Sequence, residues 1–482
     1  MRSFVRHLSG LYAVQAVNGL LGVAFVPFAV LQIGVGGYGV LAIYAVLASY
    51  VALVELGLGK GLVRQLGAET EDAARREQLR VAVGLYLCIC ALLLAAAPLL
   101  MWVVPRFVFP VPATELTAVR LVTLFVVLEY VVGVPASLMQ NHCISAERFE
   151  RYSRYALASG ILRYALSFAA VAVFRSPEVI VAVIVLRRLG DVPLARAIMG
   201  PLPRGSWRPS FDRGRFVALL RQSSVLSIAQ FFQLSVVAAG SILVNAEQGI
   251  DAMGRYRAVF DLASKLWFFS NVIGFVVFPR FVRLIGRPEH RAELVRLLPH
   301  AMYVSWVLYG VLVVAGSVAG PWALELVGLG ATAPAALLIL VLGGVAYNAH
   351  ATLSYEYVQA SGRYGRSAAL AGLSLLTLIV AFYAFLPRQP ALAVGWAWLV
   401  SQSVCAVLLD GVALRSLSLR FRAVADAVVV RLLGLAAVVL FVLTSVGVLP
   451  HQGWWLAAAT GVVPLLAGVR CLHAVRLRLA VA

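Results

Sequence analysis

The sequence predicts an all-α membrane protein of about fourteen spanning helices: two parallel six-helix repeats followed by two further helices, with both termini on the cytoplasmic side. Three observations predict it. First, 62% of the residues are hydrophobic and 13% charged, with a mean hydropathy of +0.92. A water-soluble domain of 482 residues has no use for so much apolar surface, because a single globular core stops growing long before it can bury it. Second, the cations fall in short segments on alternate sides of the apolar stretches. Third, two fragments of sequence recur at a constant spacing.

About 20 mainly apolar residues cross a bilayer. Stretches of that kind lie at 8–31, 39–58, 81–104, 116–139, 154–174, 178–200, 221–245, 256–279, 301–327, 334–358, 367–386, 391–413, 428–449 and 454–473. Arg2, Arg6 and His7 precede the first stretch without a small-residue cleavage site, which predicts a retained helix and not a signal peptide. Pro27, Pro135 and Pro193 are expected to interrupt the first, fourth and sixth helices. Of 40 cations, 30 fall in one set of alternate segments, six in the other and four at membrane depth; the positive-inside rule then places the N- and C-termini inside. The outer loops are turn-sized and leave no room for a catalytic domain. The two largest inner segments, Lys60 to Arg80 and Pro201 to Leu220, are expected to form helices lying in the headgroup region.

Gly39, Leu47, Ala48 and Ser49 recur as Gly254, Leu262, Ala263 and Ser264, and Arg148, Phe149 and Arg151 recur as Arg363, Tyr364 and Arg366, both at an offset of 215. Six helices separate equivalent points, so the copies enter the membrane in the same direction, as parallel repeats do. The expected organisation is a six-helix lobe at 1–200, a cytoplasmic linker at 201–220, a second six-helix lobe at 221–415 and two last helices within 416–482.

Two six-helix lobes with two added helices, a Gly37-Tyr38-Gly39 turn opening the second helix and a basic-aromatic inner loop in each lobe resemble the multidrug/oligosaccharidyl-lipid/polysaccharide exporter superfamily. Within it the chain is similar to bacterial O-antigen and capsule flippases. That resemblance implies translocation of undecaprenyl-diphosphate-linked oligosaccharide in the bacterial inner membrane, with membrane lipids and a polysaccharide polymerase or ligase as partners. It carries no catalytic signature and implies no enzyme activity.

Ionisable side chains at mid-membrane depth cost roughly 3 kcal/mol or more each, so they face a cavity or a partner. The cations are Arg163 in the fifth helix, Arg187 and Arg188 in the sixth and Lys265 in the eighth; the acids are Glu129, Asp191 and Asp261. Asp261 and Lys265, spaced i, i+4, can neutralise each other, and Glu129 can pair with Arg163. Arg187 and Arg188 point about 100° apart on a helix, and Asp191 alone cannot neutralise both, which leaves at least one for a cavity unless the sixth helix ends near Leu186. Guanidinium groups match phosphate oxygens and stay charged at any cellular pH, so an arginine-rich cavity suits a diphosphate. Gln15, Asn18, Gln230, Gln233, Asn271 and Asn348 are candidates to meet sugar hydroxyls, and Tyr44, Tyr50, Tyr130 and Tyr164 to stack on sugar rings; interhelical packing competes at each position. Glu129 and Asp261 are the candidate coupling carboxylates. His350 is the one histidine deep enough for a proton relay, with a packing role preferred.

No phosphate loop, dinucleotide fingerprint, nucleophile elbow or zinc-type cluster is present, and Cys88, Cys90, Cys143, Cys405 and Cys471 are scattered. No cofactor, metal or nucleic-acid partner is expected. Competing functions are a lipid II flippase, a cation-coupled drug antiporter, which calls for carboxylates to dominate the cavity, and a membrane glycosyltransferase or polymerase, which calls for a large outer loop.

Overall fold

A computed structural model of the chain describes residues 2–69, 71–268, 270, 281, 284–285, 288–326, 328–330 and 334–417. All regular structure among the described residues is helical. The helices are α1 (Arg2–Ala68), α2 (Asp72–Val103), α3 (Leu116–Ser145), α4 (Phe149–Phe174), α5 (Pro177–Met199), α6 (Arg213–Gln248), α7 (Ile250–Ala263), α8 (Arg291–Leu326), α9 (Ala335–Ala360), α10 (Tyr364–Phe385) and α11 (Ala393–Ser416). Among the described residues, eight stretches are long and apolar enough to cross a membrane, so the protein is a multi-pass membrane protein. Asn271 and the stretches expected at 428–449 and 454–473 lie outside the described residues.

Within Arg2–Ala68 the first two predicted helices are divided at Gly34 (φ 72°, ψ 172°), between the expected stretches 8–31 and 39–58 and in a conformation that a Cβ would disfavour. Three other expectations about local structure change. Gly37, Tyr38 and Gly39 are helical and form no turn. Pro27, Pro135 and Pro193 lie inside α1, α3 and α5, which run on through them. The segment after Pro201 is irregular as far as Asp212, not a surface helix; Pro203, Gly205 and Pro209 withhold the donors and stiffness a helix needs there. Asp212 then caps α6, its carboxylate accepting from the Arg215 amide at 2.9 Å.

The chain divides into two compact units, the first ending at Ala258 and the second beginning at Val259. In the first, α3 packs on α5 and α1, α4 on α1 and α5, α2 on α3 and α6 on α1. Leu62, Leu79, Tyr86, Leu138 and Met139 are buried among these helices. Where α7 starts, it crosses α1 with no side chain between the backbones: a Cβ on Gly39 would meet the Ile250 carbonyl oxygen at 2.7 Å, and one on Gly254 would collide with the Val35 carbonyl. In the second unit α9 is buried on nearly every side, packed against α11 and α8, and α11 also holds α10.

The offset of 215 read from the sequence extends to the backbone. Helix α3 ends at Ser145 and α9 at Ala360; α4 begins at Phe149 and α10 at Tyr364. Both connections pass through a left-handed residue, Glu147 (φ 55°) and Gly362 (φ 74°). In both, the amide two residues beyond the turn's start closes back onto the preceding helix: Arg148 to the Cys143 carbonyl at 3.0 Å and Arg363 to the Val358 carbonyl at 3.2 Å.

Candidate functional site

Helix α5 is 23 residues long, about 34 Å at 1.5 Å per residue, enough to cross a bilayer's hydrocarbon core. It does not end at Leu186, so Arg187, Arg188 and Asp191 all lie on one continuous helix. Arg187 is 6% exposed and Asp191 is fully buried. One turn apart on α5, they meet in a two-pronged ion pair with contacts of 3.1 and 3.2 Å. Arg187 Nη1 also donates to the carbonyl (3.1 Å) and hydroxyl (3.0 Å) of Ser159 on α4. The Ser159 hydroxyl donates to Asp191 Oδ1 at 2.9 Å. A buried charge is tolerable when it is paired; both terminal nitrogens of Arg187 are engaged in this way, and its Nε has no hydrogen bond among the described residues.

Arg188 turns toward α3. Its Nε donates to Glu129 Oε1 at 3.1 Å and its Nη1 reaches Asp191 Oδ2 at 3.4 Å. Gly133, one turn beyond Glu129, has no side chain to block the guanidinium, whose Cζ would lie 3.9 Å from a Cβ there. Tyr44 on α1 donates its hydroxyl to the other Glu129 oxygen at 2.7 Å. Asp191 therefore does not serve both arginines alone: Glu129 is the second counter-ion, and it pairs with Arg188 and not with Arg163. These two arginines and two carboxylates cancel in formal charge, and they tie together α1, α3, α4 and α5.

Two cationic side chains of this region keep contact with the surroundings. The Arg188 side chain is 32% exposed. Arg163 on α4 is exposed, close enough to Tyr44 and Arg187 to act on both electrostatically, and makes no ion pair among the described residues. Asn18 on α1 packs against Gly160, next to Ser159, so it belongs to the same neighbourhood.

Other candidates lie elsewhere. Tyr130 points into the apolar core with Leu62, Leu79 and Met139. Gln15 is half-buried on α1, Gln233 is exposed on α6, and the Gln230 side-chain oxygen is buried there with no hydrogen bond among the described residues. Tyr50 donates to Ser235 at 3.2 Å, and Tyr164 meets Phe25 edge-on. Asp261 and Lys265 belong to the second unit, at the end of α7 and in the single turn after it.

Sequence reading missed a second polar centre. His350 on α9 and Asp410 on α11 are both buried, with Nε2 and Oδ2 3.0 Å apart. Ser354 donates to the other Asp410 oxygen at 2.5 Å. Asn348 in turn donates to Gln402 at 2.7 Å, and Gln402 leads to Ser374 and Ser401. Asp410 inside an apolar stretch was the available signal; nothing in the sequence says that it meets a residue sixty positions earlier.

No family model matches the chain, and no curated protein matches it by sequence. Its fold does have solved counterparts. The lipid II flippase MurJ in an inward closed conformation is 12% identical, with a TM-score of 0.67 over 97% of this chain and 99% of that one. An inward-facing multidrug resistance MATE transporter of the MOP superfamily is 13% identical, with a TM-score of 0.59 over 86% and 95%. The MATE multidrug transporter DinF-BH in complex with R6G is 12% identical, with a TM-score of 0.59 over 85% and 94%. These counterparts are a flippase and two transporters, and the chain shares their fold.

Proposed function

We propose that this chain is a flippase of a bacterial cytoplasmic membrane that carries undecaprenyl-diphosphate-linked oligosaccharide repeat units from the cytoplasmic to the outer leaflet by alternating access, with both termini inside. The observation that carries the reading is the extent of the fold match. The flippase counterpart spans 97% of the chain, whereas the MATE transporters above span 85–86%.

The charges favour an anionic cargo. Both acids of the first unit's centre are taken up by arginine, which leaves exposed Arg163 and part of Arg188 as the groups offered to a ligand. A carrier of cations needs the reverse balance. Planar guanidinium donors on neighbouring helices suit the two phosphates of a lipid diphosphate, and Asn18 beside them suits a sugar hydroxyl. Gln15, Gln230, Gln233 and Lys265 are secondary candidates along the path. In this reading a polymerase or ligase receives the cargo on the far side.

The test is translocation in proteoliposomes carrying an undecaprenyl-diphosphate oligosaccharide. Arg163→Gln is the informative variant, because Arg163 holds no ion pair among the described residues and its loss leaves the fold intact. A charge-assisted hydrogen bond contributes about 1.5–3 kcal/mol, so translocation by this variant falls about tenfold or more relative to wild type. Translocation of lipid II but not of oligosaccharide lipids by wild type would move the assignment to peptidoglycan precursor. Uptake of an organic cation without movement of any diphosphate lipid would replace it with drug export.

A further inference from the structure

The His350–Asp410 pair has no part in the proposed recognition of phosphate, and its surroundings point to another ligand. His350 is fully buried and Asp410 is 2% exposed. Three helices converge there. Asp410 comes from α11, His350 and Ser354 from α9, and Ser305 and Trp306 from α8. Ser305 Oγ stands 3.3 Å from His350 Nδ1, and the Trp306 ring lies over the imidazole at a centroid distance of 4.2 Å and 35°.

Each ring nitrogen faces a different kind of partner. Nε2 faces a carboxylate oxygen, so it carries a hydrogen and donates. Nδ1 faces a hydroxyl, which can donate to a bare nitrogen or accept from a protonated one by rotating about its C–O bond. The ring can therefore take up a proton on Nδ1 or give one up without moving any heavy atom. In the neutral-ring state a carboxylate lies buried with hydrogen bonds but no cation on the ring; in the protonated state the two charges cancel. An indole face beside the ring favours the cation as well. The other titratable side chains described on these helices at nearby levels are Tyr309 on α8, Tyr347, Tyr355, Glu356 and Tyr357 on α9, and Cys405 and Arg415 on α11; Tyr347 meets the Trp306 ring edge-on at 5.3 Å, and Cys405 is close enough to Asp410 to interact electrostatically.

We infer that His350, Asp410 and Ser305 form a proton-binding site in the second unit, with the proton as its ligand and the packing of α8, α9 and α11 as what it controls. The site stands whether or not the cargo is a lipid diphosphate, so it is tested without transport. Protein labelled with nitrogen-15 at histidine is reconstituted in lipid nanodiscs and its imidazole signals are followed over about pH 5–8, the range in which histidines ordinarily titrate. His350→Gln identifies the His350 signals. Wild type is expected to show His350 passing between a form with bare Nδ1 and a form with both nitrogens protonated. Asp410→Asn, which keeps the shape but removes the counter-charge, is expected to hold the ring in the bare-Nδ1 form at a pH where wild type is protonated. Ser305→Ala, which leaves Nδ1–H without an acceptor, is expected to do the same to a smaller degree. A His350 signal that stays in one form throughout, or one whose titration Asp410→Asn leaves unchanged, overturns the inference. Absence of lipid translocation by the same wild-type preparation would count against the flippase reading and leave this result standing.

Discussion

The two units use one helix frame for different electrostatics. Counted at the offset of 215, Ser159 corresponds to Ser374, Arg187 to Gln402 and Asp191 to Ala406. The hydrogen bond survives the exchange: Arg187 reaches the Ser159 hydroxyl at 3.0 Å, and Gln402 reaches the Ser374 hydroxyl at 3.4 Å. Where the first unit sets a buried ion pair, the second sets a neutral amide and a methyl group. The reverse holds elsewhere, because the second unit's His350 and Asp410 correspond to Pro135 and Ala195. Each unit thus has its own charged centre between the same pair of helices, α3 with α5 or α9 with α11, at positions that are not equivalent. The comparison teaches that polar helix contacts set the frame, while charge is an addition that either unit can carry or omit.

The comparison is broken most severely by Asp191→Ala. That substitution strands Arg187 in the interior, and removing one partner of a buried pair costs about 3–5 kcal/mol; a large fall in thermal midpoint in detergent is the expected reading. Adding Arg187→Gln to it copies the Gln402–Ala406 pair of the second unit and is expected to recover most of the midpoint. A double variant as unstable as the single would show that the frame does not tolerate the exchange. Gln402→Ala removes the amide that joins Asn348, Ser374 and Ser401 and is expected to cost about 1–3 kcal/mol, read the same way. Smallest is the turn after α3: Glu147→Gly places glycine where the second unit has Gly362, and relief of a left-handed side chain is expected to raise stability by about 1 kcal/mol.

Much of this architecture was legible in the sequence. Apolar length marked the spans at 81–104, 116–139, 154–174, 301–327, 334–358, 367–386 and 391–413, and the matches at Arg148 and Arg363 marked a turn that recurs down to its hydrogen bonds. The first unit's charges were legible as residues but not as pairs. Glu129 chooses Arg188 over Arg163 because of the rotation of α3 against α5. Helices that are apolar on most sides offer no polar stripe from which that rotation can be read. For the same reason His350 was visible and its partner was not. Gly34 escaped notice because the turn signal of Gly37, Tyr38 and Gly39 stood three residues away, and those residues are used for close helix contact instead.

The crossing of α1 and α7 has a further property. Val35 and Gly39 correspond at the same offset to Ile250 and Gly254, so the glycine of each strand of sequence abuts the carbonyl of the other's first member. A surface patch that docks onto its own equivalent is what a two-fold homodimer shows at its axis, here contained in one polypeptide. Thermodynamically the two glycines behave as a single locus: a methyl group at either one parts the same backbones, and once they are parted the second methyl adds little. Alanine at both positions should therefore cost much less than the sum of the two single changes.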